Sequence, residues 1–164
     1  MLSDVAFVQH SPWGGDGGAE ETRYGWKCLE YLLSAPDGTP QRPDLIYFNW
    51  GLHDTGKGST DNNTGNGVVP GQSGRIVDCD PYLDLIANRL GSLRPQTKII
   101  FGITTPMMCS GPTEAIVMQL NGIAKKVMMK YNIPTVDMHS AITGHCGPAP
   151  NTNCFNQTNC FCPH

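Results

Sequence analysis

The stretch Leu45-Ile46-Tyr47-Phe48-Asn49-Trp50-Gly51-Leu52-His53-Asp54 decides how the chain is read. Its first four residues form an unbroken apolar run, which predicts a strand buried in a parallel sheet. Polar residues and a glycine then interrupt the run, the pattern of a strand leaving a sheet for a loop. In an open α/β sheet, ligands are held outside the carboxyl ends of the strands, so Asn49 falls where chemistry is done. A side-chain amide there can donate to negative charge developing on a carbonyl oxygen, a contribution of about 3 kcal/mol in acyl transfer. His53 and Asp54 follow closely enough to line the same pocket or to position its loop. An ordinary polar turn after a strand would look the same, so the surrounding chain has to separate the two readings.

On the amino side, Val5-Ala6-Phe7-Val8-Gln9 reads as another short buried strand. A Gly-rich loop follows it, Ser11 through Asp16-Gly17-Gly18. A helix is predicted next, with Thr22 as its cap and Trp26, Leu29, Tyr31, Leu32 and Leu33 on its apolar face, ending near Ser34. Asp37-Gly38-Thr39-Pro40 makes a turn into the strand at Leu45. On the carboxyl side, residues 55 to 74 form a long Gly/Asn/Ser/Thr loop without periodicity, and loops of that length in a compact domain are often functional. Pro81 to Leu93 predicts a helix capped by Asp80, with Leu83, Ile86, Leu90 and Leu93 inward. Lys98 to Thr104 predicts a strand, and residues from about Thr113 to Tyr131 a longer helix with Ile116, Leu120, Ile123, Ala124, Val127 and Met128 at helical spacing. The methionines of that helix read as core filling. Ile133-Pro134-Thr135-Val136-Asp137 predicts a last short strand, followed by a Cys-rich segment, residues 144–164. Strand and helix alternate throughout, which predicts an α/β domain whose parallel sheet is covered on both faces.

At 164 residues the chain is one domain by length. A formal net charge of -3 gives no basic field for nucleic acid or an anionic membrane surface. No apolar run is long enough to span a bilayer. Seven cysteines and the sequons at Asn62 and Asn156 point to an oxidising, secretory setting, although no leader-like segment opens the sequence. Seven is odd, which leaves at least one thiol outside any internal pairing, and Cys28 in mid-helix is the expected buried free thiol.

The order of these elements, with Phe48-Asn49-Trp50-Gly51-Leu52-His53-Asp54 as its most specific piece, resembles the SGNH (GDSL-type) hydrolases. It is closest to a branch whose third block reads Asn-Trp/Phe-Gly-Leu-His-Asp. Ile103-Thr104-Thr105-Pro106 and Ile133-Pro134-Thr135-Val136-Asp137 support the likeness in the right order. The resemblance implies a three-layer α/β/α sandwich with a flavodoxin-like parallel sheet, and an esterase acting on a carbohydrate O-acetyl or lipid acyl ester without a cofactor. Asn49 takes the role of one oxyanion donor, and Gly18, with Gly17 beside it, supplies the backbone donor of the second block, where only glycine lets the main chain approach a ligand closely. Asp16 and His53-Asp54 fall where substrate would be lined. His164 stands where the late histidine base belongs.

The pattern also breaks. No Gly-Asp-Ser occurs, and Ser3-Asp4 precedes the strand that matches the family's second, so no nucleophile is assigned. Phe161 replaces the aspartate that would orient His164. His139 reads as structural. The resemblance therefore implies a partial domain without the family's first strand and last helix, poorly stable and without turnover by itself. A non-catalytic carbohydrate- or ligand-binding domain on the same scaffold is the alternative. Cys154, Cys160, Cys162 and His164 also have the residue types of a zinc site, but lack the paired Cys-x-x-Cys spacing of common structural sites. Disulfides are the preferred reading of these cysteines.

Overall fold

The computed structural model describes Val8 and residues 21–55, 74–108 and 111–149. The first helical segment is split into α1 (Thr22–Lys27) and α2 (Leu29–Leu32), with a break at Cys28. Strand β1 (Leu45–Phe48) follows, then a single 3-10 turn at Leu52–Asp54. The remaining elements are α3 (Ile76–Gly91), β2 (Lys98–Gly102), α4 (Gly111–Lys130), β3 (Thr135–Val136) and α5 (Met138–Cys146). The strands form one parallel sheet in the order β1-β2-β3. This is the mixed α/β architecture with a parallel sheet that the alternation predicts.

Register explains which side of the sheet is core. Ile46 pairs with Ile99 and Phe48 with Phe101, and these residues point at the helices. Leu83, Ile86 and Leu90 of α3 and Leu120, Val127 and Met128 of α4 complete the same core, all at least nine-tenths buried. Phe48 meets Phe101 edge-on with ring centroids 5.0 Å apart, an arrangement that adds quadrupole attraction to burial. The other side of the sheet carries Leu45, Tyr47 and Val136, each about half exposed (50%, 51% and 47%). Met138, the first residue of α5, reaches this side through a hydrogen bond from Tyr47 Oη to its sulfur.

Several sequence expectations are corrected. α3 starts at Ile76, five residues before Pro81, and Arg75 rather than Asp80 is the cap residue. Pro81 removes the N–H that would bond to Val77, a residue on the solvent side (71% exposed), so water can satisfy that carbonyl. Glu21, not Thr22, precedes α1, because the Thr22 side chain is fully buried and bonded elsewhere. Met128 fills the core as expected, whereas Met118 and Met129 of α4 are exposed. Cys28 is a free thiol but only half-buried, and among the described residues the buried free thiol is Cys79. α5 has no counterpart in the pattern read from the sequence. Its start is set by Asp137, whose carboxylate accepts from Ser140 N–H at 2.9 Å, a helix N-cap bond. The predicted strand at residues 5–9 lies outside the described residues apart from Val8, which is exposed. Asp16, Gly17, Gly18, Asn62, Asn156 and His164 also lie outside them.

Gly25 on α1 is where the strand exit meets the helices. A Cβ placed on it would lie 2.5–2.6 Å from the Trp50 indole, a rigid ring that would have to shift as a whole. Gly25→Ala is therefore expected to destabilise the domain by about 1–3 kcal/mol through overpacking. Urea unfolding checks this, and an unchanged midpoint would show that Trp50 does not pack there.

Candidate active site

The site is built at the carboxyl end of β1, where the backbone leaves the sheet. Gly51 has φ 150°, a conformation open to glycine, and a Cβ there would lie 2.6 Å from Thr104 Oγ1. Glycine at this position thus both makes the turn and lets the strand exit touch the segment after β2.

Asn49 is exposed at this edge. Its Nδ2 donates to the Gly102 carbonyl at 2.6 Å and to Thr104 Oγ1 at 3.1 Å. A carbonyl can only accept, so the nitrogen of the amide must be the atom facing Gly102. Thr104 is itself held by Asn121 of α4. Asn121 Oδ1 accepts from Thr104 N–H and Asn121 Nδ2 donates to Thr104 C=O, both at 3.0 Å. Thr104 and Asn121 are each about 4% exposed, so this pairing is sealed from water. Neither residue stands out in the sequence as part of the site. Thr104 lies in the Ile-Thr-Thr-Pro piece, but Asn121 sits in mid-helix among apolar residues, and that placement is the only signal it carries.

Of the two roles open to Asp54, lining the pocket or positioning its loop, its complete burial fits the second. Its carboxylate accepts from Thr22 N–H at 3.1 Å and from the Thr22 hydroxyl. His53, half-buried, accepts through its carbonyl from Gly74 N–H at 2.6 Å, so the two ends of the long 55–74 segment are tied together at its base. Burial pushes the Asp54 carboxyl up to about 6, against the opposing pull of the Thr22 hydrogen bonds; the charge of Glu21 adds to the rise and that of His53 reduces it. The Cys79 thiol next to Thr22 is pushed up to about 12, chiefly by burial and then by Asp54, which leaves it protonated and inert as a nucleophile.

A second polar pair lies at the same end of the sheet. His139 Nε2 and Glu114 Oε1 are 2.7 Å apart with side chains only 14% and 7% exposed. The other oxygen of Glu114 accepts from Met107 N–H at 2.6 Å, so the pair fastens the segment after β2 to α4 and α5. Among the described residues no buried side-chain nitrogen or oxygen lacks a partner, and no group of His, Cys, Asp or Glu converges as a metal site. No described helix is long and apolar enough to cross a membrane.

No family model and no curated protein matches the chain. Solved structures similar to it include two hydrolases. A lipase/acylhydrolase from Enterococcus faecalis is 21% identical with a TM-score of 0.55, over 86% of this chain and 60% of that one. LAE5, an alpha/beta hydrolase enzyme from the metagenome of Lake Arreo, Spain, is 16% identical with a TM-score of 0.53, over 75% of this chain and 52% of that one. The chain has the fold of these hydrolases. It spans between about half and three-fifths of their lengths.

The buried Asp54 fixes the sign of a pH effect. Its folded value, about 6, lies above the ordinary 3.8, so the folded state holds the proton more tightly than the unfolded one. The contribution is fully present below about pH 4 and is lost as pH rises toward 6, by about 3 kcal/mol at most. Asp54→Asn should flatten this slope while keeping the fold. Urea denaturation of both proteins at pH 4, 5 and 7 tests it, and parallel profiles would refute the assignment.

Proposed function

We propose that this domain belongs to the SGNH-type ester hydrolases and holds the carbonyl oxygen of an acyl ester with the Asn49 amide. The observation that carries the reading is Asn49 itself, an exposed residue at the carboxyl end of a parallel strand, with its amide nitrogen fixed in direction by Gly102 and Thr104. The fold shared with a lipase/acylhydrolase supports it. In this reading Gly18, with Gly17 close by, gives the second donor and His164 the base, while Asp16 and His53 line the substrate. The substrate is an O-acetylated carbohydrate or a lipid acyl ester. The clustered cysteines and the sequons at Asn62 and Asn156 support a disulfide-bonded, glycosylated protein of the secretory pathway.

One observation favours a second reading. The 164 residues contain no Gly-Asp-Ser, and Phe161 stands three positions before His164. A scaffold that keeps the amide donor without an activated serine would bind an ester and leave it intact. In both readings the isolated chain binds without turnover, and coding sequence on the amino side of Met1 separates them. An apolar strand followed by Gly-Asp-Ser there makes the domain a hydrolase, and its absence makes it a binding domain.

Binding itself can be measured directly. Glucose pentaacetate, but not glucose, is expected to shift the Asn49 side-chain amide signals in a 15N–1H NMR titration. Asn49→Ala should weaken binding about fivefold, the worth of one hydrogen bond. An acetylated sugar that binds equally well to Asn49→Ala would remove Asn49 from either reading.

A further inference from the structure

Asn49 does not hold its own direction. Its amide faces Thr104 Oγ1, and three contacts fix where that oxygen sits. Asn121 grips the Thr104 main chain at both its N–H and its C=O, which locks the residue in place like a rung between β2 and α4. The Thr104 hydroxyl donates toward the Trp50 carbonyl at 3.4 Å. A hydroxyl has a single hydrogen, so giving it to Trp50 leaves the oxygen as an acceptor for Asn49. Gly51 completes the arrangement, since a side chain there would collide with the same oxygen.

We propose that Thr104 and Asn121 are the positioning pair of this site, aiming the Asn49 amide at the bound carbonyl. The inference rests on the reading of Asn49 as the carbonyl donor and adds to it the residues that make that donor directional. The order of the contacts matters. Asn121 acts on the backbone, Thr104 passes the placement on through one hydroxyl, and Asn49 alone meets the ligand. Preorganisation of this kind limits the amide freedom that would otherwise be lost on binding. A pair that only stabilised the fold would have no such directional dependence on the Thr104 hydroxyl.

The test uses glucose pentaacetate with the full 164-residue chain, the Asn49 side-chain amide signals providing a second readout. Thr104→Val removes the hydroxyl and nearly keeps the shape. It should merge the Asn49 amide signals toward those of a free side chain and weaken binding about fivefold. Thr104→Ser should restore both. In an Asn49→Ala background, Thr104→Val should cost nothing more, because residues acting as one unit are not additive. Asn121→Asp keeps the acceptor for Thr104 N–H and loses the donor to its C=O, and should give the same pattern as Thr104→Val even if the valine variant folds poorly. Unchanged binding and unchanged Asn49 signals in Thr104→Val would overturn the inference, as would an equal loss with and without Asn49. If Asn49→Ala alone binds as well as wild type, the donor reading fails first and this inference falls with it.

Discussion

The Asp54 carboxylate and Thr22 make the contact on which the rest of the site depends. Asp54 stands at the end of the 3-10 turn after β1, and Thr22 opens α1. Their hydrogen bonds join the strand exit to the first helix across 32 residues of sequence. Cys79 of α3 lies against the same threonine, with its sulfur 3.9 Å from the hydroxyl. A carboxylate without exposure is expensive to place, and leaving it unpaired would cost more than the hydrogen bonds return. The junction is therefore all-or-none. With Thr22 in place the turn at residues 52–54 is fixed, and with it the path of the chain from Phe48 to Thr55.

From that fixed turn, five residues of the decapeptide each meet a different neighbour. Phe48 goes to Phe101, Trp50 to the gap above Gly25, Gly51 to Thr104, and Asp54 to Thr22. Asn49 is the exposed polar residue among them, and its partners are a carbonyl of β2 and the Thr104 hydroxyl. The motif is a junction in which four of the residues hold the geometry and one presents a donor.

The sequence made the location of this junction legible and obscured the division of labour within it. An apolar run ending in Asn-Trp-Gly announces the carboxyl end of a parallel strand, because burial and turn chemistry both leave marks in adjacent residues. Whether Asp54 faces a pocket or a helix leaves no such mark. It depends on Thr22, which looks like an ordinary helix cap until it is seen buried. Asn121 was hidden for the same reason, since its partner Thr104 is 17 residues away and only the fold brings them together. The start of α3 was misplaced because Pro81 reads as a first-turn residue, although a helix can carry proline further in when the orphaned carbonyl lies toward water. α5 was missed because its Gly144, its Thr143 and its histidines weaken helix propensity, leaving the Asp137 cap as the chief signal.

The donor geometry resolves an apparent conflict. The Asn49 nitrogen is already engaged by Gly102 and Thr104, so it has to yield a partner before it can serve a ligand. Under the proposed reading Thr104, at 3.1 Å, stays as the partner that aims the amide, and the hydrogen now on the Gly102 carbonyl, at 2.6 Å, is the one handed to the ligand. A neutral hydrogen bond contributes about 1 kcal/mol net. A donor aimed at a developing oxyanion contributes about 3 kcal/mol. The exchange is close to neutral for an uncharged ester and favourable once negative charge appears on its oxygen. Under the proposed reading, an amide held in this way answers charge more than shape, which is the discrimination acyl transfer requires. On that reading the contacts that satisfy Asn49 also set its preference for developing charge, which comes on top of the single hydrogen bond it gives an uncharged carbonyl.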